Sequence, residues 1–125
     1  MIKSTLTRVG KFQNDYNRKL NINLPILDIY QDSGLYHHIK NRHPNCIKYL
    51  DKITDILLSP DYIGKNPKEP NSIELIKNLG DNLQIAIKLD FNNNYYYIAT
   101  LHEISNVKIN KRLNNGRLKK FQENT

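Results

Sequence analysis

The chain contains one cysteine, Cys46, in 125 residues. A single thiol excludes an internal disulfide and a zinc site built from cysteines. The ordinary role of such a residue is a small buried apolar side chain. No apolar run reaches about 18 residues, so no helix is expected to span a membrane. The opening residues, Met1-Ile2-Lys3-Ser4-Thr5, lack the apolar stretch of a secretory signal. Apolar residues make up 38% of the chain, a polar balance for a globular domain but not a disordered one. The length suits one domain with one core, and no internal repeat is visible.

Positive charge is in excess. Nineteen Lys and Arg stand against twelve Asp and Glu, for a net charge of +7. From residue 101 onward, Lys108, Lys111, Arg112, Arg117, Lys119 and Lys120 face only Glu103 and Glu123, which supplies +4 of that total. Such a balance favours an anionic partner: nucleic acid, anionic lipid or an acidic protein. A solvated, solubilising surface is the plainer alternative.

Residues 1–30 read as a loosely packed arm, with a short helix near Phe12 to Leu20. "LPILDIY" (24–30) suggests a short edge strand or an extended segment. Ser33-Gly34 opens a helix through Arg42, and Pro44 disfavours helical geometry at His43, so the helix ends there. A second helix starts at Pro44 or Asn45, with Ile47, Leu50, Ile53, Ile56 and Leu57 on one face. The Pro-rich "SPDYIGKNPKEPN" is a connector. Three strands follow, at 72–79, 82–90 and 95–102. Leu83, Ile85, Ile87 and Leu89 alternate toward one side. A three-residue loop, Phe91 to Asn93, brings apolar faces together, pairing Gln84 with Thr100 and Lys88 with Tyr96. The opposite face then displays Gln84, Lys88, Tyr96, Thr100 and His102. Ser105 caps a short basic helix that Gly116 stops. The fold class is α+β: N-terminal helices packed on a roughly four-stranded antiparallel sheet, with a short basic C-terminal helix or tail. The divisions are an arm (1–30), a domain (31–120) and a tail (121–125).

"GLYHHIKNRHPN" (34–45) holds three of the four histidines. His38 and His43 are five apart, about 140° around a helix. No acid lies between them, and Lys40 and Arg42 repel a cation. This spacing argues against the H-E-x-x-H zinc arrangement; no metal or cofactor is expected. A solvated helix end is the plain reading. The functional one is acid–base work on an anion, since imidazole exchanges protons near neutral pH. RNA cleavage without a metal needs a base, an acid and cations for the phosphorane charge. Lys88 beside Thr100 adds a candidate phosphate clamp, and Tyr96 a candidate stacking platform. His37 reads as surface or packing.

The order "GLYHHIKNRHP", "LLSPDYIG", "LQIAIKLD" and "YYYIATLHEISNVKINKRLNNGRLKK" resembles the barnase–EndoU–colicin–RelE-like (BECR) nucleases, in their phage-associated and polymorphic-toxin branches, over about residues 30 to 120. The resemblance implies an endoribonuclease toxin domain, acting without a metal, often on tRNA, and neutralised by a cognate immunity protein or antitoxin. Such a domain acts in the bacterial cytosol, either free-standing or delivered within a larger secreted toxin. The family-like positions are His38, Arg42 and His43 on the helix, Lys88 and Thr100 on the strands, and Lys108, Gly116 and Arg117 in the C-terminal element. The catalytic candidates are therefore His43, His38, Lys88, Thr100, Lys108 and Arg117, with a 2′,3′-cyclic phosphate as product. The RNA-binding candidates are Arg42, Tyr96, His102, Lys111, Arg112 and Lys119. The alternative is a non-catalytic basic module that binds nucleic acid and leaves it intact.

Overall fold

Alternation in the middle of the chain builds the centre of the sheet. In the computed structural model, which describes residues 5–122, β4 (Ser72–Asn78), β5 (Asn82–Asp90) and β6 (Tyr95–Glu103) form an antiparallel meander. Leu83, Ile85 and Ile87 are fully buried on its inner face, where Ile73 and Leu75 meet Ile87 and Ile85 from β4. Each such side chain contributes roughly 1.5–3 kcal/mol of burial free energy. Ile39, Ile53 and Ile56 close the same core.

The α+β class stands, but among the described residues the sheet has seven strands rather than roughly four, in the order β1-β2-β6-β5-β4-β3-β7. The additional strands are β1 (Leu6–Lys11), β2 (Asp28–Asp32), β3 (Tyr62–Gly64) and β7 (Leu118–Lys120). They are short or carry exposed residues, so they lack the period-2 signature of half-buried strands. β2, expected at an edge, lies between β1 and β6 and runs parallel to β6. Nor is the N-terminal region a loosely packed arm, although the short helix expected near Phe12 to Leu20 is present. Its helix α1 (Asn14–Leu20) follows a strand, and Phe12 and Tyr16 are buried in the main core. Phe121, near the other end, is buried there too.

The sheet register differs from expectation in a way that matters for the site. Four residues, Phe91–Asn94, join β5 to β6, and Asp90 pairs with Tyr95. Asn94 adopts φ 58° in this turn. Lys88 therefore faces Tyr97, not Tyr96. Further on, a bulge at Ala99 shifts the register, so that Ala86 pairs with Thr100 and Gln84 with His102. The extra residue resets the alternation. Tyr96 and Ile98 point into the core before the bulge, while Thr100 and His102 point outward after it. Tyr96 is thus not a stacking platform. Its ring stacks on Phe12 and its hydroxyl donates to the Pro25 carbonyl at 2.6 Å.

Helix α2 (Gly34–Arg42) follows β2 and contacts β6. The Asp32 carboxylate accepts from the Gly34 N–H at 2.8 Å at its start. His43 leaves helical geometry at φ −141°, ψ 60°, as Pro44 dictates. A 3-10 helix (Pro44–Lys52) and α3 (Ile53–Leu58) continue from there. Helix α4 (Asn106–Asn114) is capped by Ser105, whose hydroxyl accepts from the Lys108 N–H at 3.1 Å. With Ile104, Ile109 and Leu118 it covers Ile76 on the outer side of the sheet, a second small core. Gly116 turns the chain at φ 85° into β7.

Candidate active site

Three imidazoles converge where α2 meets β6. The His38 and His43 ring centroids are 6.2 Å apart, and those of His43 and His102 are 5.5 Å apart. The sequence brings His38 and His43 near each other through one helix. His102 reaches them because β6 runs past the end of α2. His37 is exposed and packs edge-on against Tyr36, outside this cluster.

Desolvation lowers the pKa of His43 below the ordinary imidazole value, and electrostatic interaction with His102, His38 and Arg42 lowers it further. The neutral, proton-accepting form is thereby favoured. Arg42 is exposed beside it and lines a pocket of about 210 Å³ with His43, Asn45 and Glu103. Cys46 also lines that pocket and is buried. Burial first, then the Glu103 charge, push the thiol up, away from the thiolate form.

A second cleft, of about 490 Å³, joins His38 to Lys88, Tyr97 and Ala99. The Lys88 ammonium lies 3.6 Å from the Glu69 carboxylate. Thr100 sits between the Lys88–Tyr97 and Gln84–His102 pairs, opposite Ala86. Histidines, lysine and threonine therefore share one side of the molecule.

Next to His102 the outer face carries a buried charged network. Glu74 is 3% exposed. Its carboxylate accepts from Arg117 Nη2 at 2.7 Å and Nε at 2.9 Å, and from Arg112 Nη1 at 3.1 Å. Arg112 Nη1 also donates to Gln84 Oε1 at 2.8 Å. Gln84 Nε2 lies 3.4 Å from His102 Nε2, and His102 Nδ1 lies 2.9 Å from the Glu103 carbonyl oxygen.

Arg112 and Arg117 thus belong to the network beside the imidazoles. Lys108 is exposed one helical turn before Arg112, on the same face of α4. Lys111 is on another side of α4, lining a shallow cleft with Val107, Asn110 and Asn114. Lys119 is on β7, with β3, β4 and β5 between it and β6, and lines a cleft with Arg18, Lys19 and Lys120. The histidine cluster does not include it. Glu74 is the residue that sequence patterning misses, although an acid inside the apolar run "SIELI" is the signal for it: a carboxylate there needs a partner.

A family model described as phage-Barnase-EndoU-ColicinE5/D-RelE like nuclease3 matches residues 7–111. No curated protein and no solved structure matches the chain.

Proposed function

The chain belongs to the phage-Barnase-EndoU-ColicinE5/D-RelE like nuclease family, and from that premise we propose that it is an endoribonuclease that cuts RNA without a metal ion. The observation that carries the reading is the His38–His43 pair, with ring centroids 6.2 Å apart: His38 lines the cleft shared with Lys88, and His43 lines the neighbouring pocket with Arg42. Among the described residues neither ring takes a hydrogen bond from the protein, which leaves both for substrate.

His43, favoured in its neutral form, takes the proton from a ribose 2′-hydroxyl. The 2′-oxygen attacks phosphorus, the bond to the 5′-oxygen breaks, and His38 delivers a proton to that leaving oxygen. The products are a 2′,3′-cyclic phosphate and a 5′-hydroxyl. Lys88, Lys108 and Arg117 provide positive charge for the phosphorane, and the Thr100 hydroxyl donates to a phosphate oxygen. Arg42, exposed and lining the neighbouring pocket, holds the flanking chain. We assign tRNA as the substrate, the cytosol of a bacterial cell as the place of action, a toxin's role to the domain, and an acidic immunity protein as its inhibitor; the net charge of +7 supports an acidic partner. No helix among the described residues is long and apolar enough to cross a membrane.

The test is incubation of the purified chain with total RNA in excess chelator, followed by mapping of the new ends. Cyclic phosphate termini are expected. Intact RNA bound in a salt-dependent manner would instead identify a non-catalytic binding module. Equal cutting by wild type and by a His38→Ala/His43→Ala double variant would remove the imidazoles from the mechanism.

A further inference from the structure

His102 differs from the other two histidines of the cluster, because both of its ring nitrogens have partners within the protein. Nδ1 is 2.9 Å from the Glu103 carbonyl oxygen, which can only accept. That contact requires a proton on Nδ1. At Nε2 the neighbour is the Gln84 side-chain amide, 3.4 Å away. Which end of the amide faces the ring follows from its other end. Arg112 Nη1 lies 2.8 Å from Gln84 Oε1, and a guanidinium only donates. The oxygen of Gln84 is therefore on the arginine and its NH2 on the imidazole. A donor facing Nε2 requires a lone pair there.

We propose that Gln84 is a positioning residue that fixes the tautomer of His102. The proton is on Nδ1, the lone pair on Nε2, and the ring is a fixed support for His43 rather than a proton carrier. The orientation of Gln84 is enforced from behind. Arg112 is held by Glu74, and Glu74 by Arg117, with Glu74 3% and Gln84 5% exposed. Flipping the amide would put its NH2 against a guanidinium and leave its oxygen facing the Nε2 lone pair, and both contacts would be lost. The arrangement runs against the usual preference of free imidazole for the Nε2–H tautomer, so it is directly visible. The role in catalysis rests on the endoribonuclease reading; the tautomer does not.

The experiment is nitrogen NMR of the histidine rings in the full chain at pH about 8, above the ordinary imidazole value of ~6.5. Assignment uses a His102→Asn variant, whose spectrum lacks the His102 pair. Wild type is expected to show a pyrrole-like Nδ1 and a pyridine-like Nε2 for His102. In Gln84→Glu, which keeps the side-chain shape but presents an acceptor to the ring, a proton should appear on Nε2. With RNA as substrate that variant should lose kcat several-fold with KM unchanged. A wild-type ring protonated on Nε2 would overturn the assignment. So would an unchanged tautomer in a folded Gln84→Glu protein. A correct tautomer in a protein that does not cut RNA would sink the endoribonuclease reading and leave the role of Gln84 in setting the ring standing.

Discussion

Arg117 Nη2 lies 2.7 Å from Glu74 Oε1, on a carboxylate that is almost wholly removed from water. The C-terminal element is thereby tied to the middle of the sheet by an ion pair rather than by apolar area alone. Removing the acid leaves two guanidinium groups facing each other in a half-buried space. Glu74→Ala should cost about 3–5 kcal/mol, the usual penalty for breaking one side of a buried pair. Urea denaturation measures it. A loss under about 1 kcal/mol would mean that water reaches the arginines freely.

His38 and His43, whose rings make no hydrogen bond among the described residues, should carry the chemistry. His38→Ala and His43→Ala are each expected to lose ~10²–10⁴-fold in cleavage rate, the range for one acid or base. The double variant should lose little more than the worse single one, because the pair acts on one phosphate. His37→Ala, whose ring packs on Tyr36, should cut RNA at near the wild-type rate. Single-turnover cleavage of a labelled RNA separates these outcomes, and a large loss in His37→Ala would contradict the assignment.

Much of this site is legible in the sequence. Leu83, Ile85, Ile87 and Leu89 mark the inner face of β5, and Pro44 marks the end of α2. Pairing is less legible. A bulge inserts one residue without any composition signal, so Thr100 and His102 are placed correctly by period while Tyr96 is not. The strand β1 is hidden because it is polar and mostly exposed. The roles of Arg112 and Arg117 depend on Glu74, which is distant in sequence, and no local pattern links them. Basic residues of one tail consequently look alike in sequence and separate only in three dimensions, with Arg112 in the network and Lys119 across the sheet.

The depressed His43 value sets the sign of two pH effects. An unfolded imidazole titrates near ~6.5. The folded ring titrates lower, so in the window beneath ~6.5 the unfolded chain binds the extra proton. His43 therefore makes the fold lose stability as pH falls through that window, and contributes no pH dependence above it. The acid-side limb of kcat/KM should have its midpoint below ~6.5 for the same reason. Arg42→Gln should move that midpoint up only slightly, because desolvation is the first cause and the Arg42 charge the last. A limb centred above ~6.5 would show that His43 is not the base.

Gly64 should be intolerant of any side chain. A Cβ there would lie 2.5 Å from Leu118 Cδ2 and 2.6 Å from the Arg117 carbonyl oxygen. The leucine tip can move; the backbone carbonyl can move only if β7 shifts. Gly64→Ala is expected to cost about 1–3 kcal/mol, as overpacking does. It should also loosen Arg117 from Glu74 and lower RNA cleavage, although Gly64 touches no imidazole. Thermal unfolding and cleavage measured on the same sample test this. Full activity in a destabilised protein would show that Arg117 is not needed in place.

Lys88 provides the last test, because its charge is shared with Glu69 at 3.6 Å. A phosphate entering the cleft with His38 must compete with that carboxylate. Glu69→Gln should free the ammonium and tighten RNA binding, while Lys88→Ala should weaken it. Both effects should shrink as salt rises, since the pair is half-exposed and screened. Lys88→Ala should also flatten the slope of log affinity against log salt by about 0.7, as loss of one contact to a single-stranded phosphate does. If Glu69→Gln weakens binding instead, the carboxylate is orienting the lysine rather than competing for it. Binding titrations on the His38→Ala/His43→Ala protein, where the RNA stays intact, decide between the two.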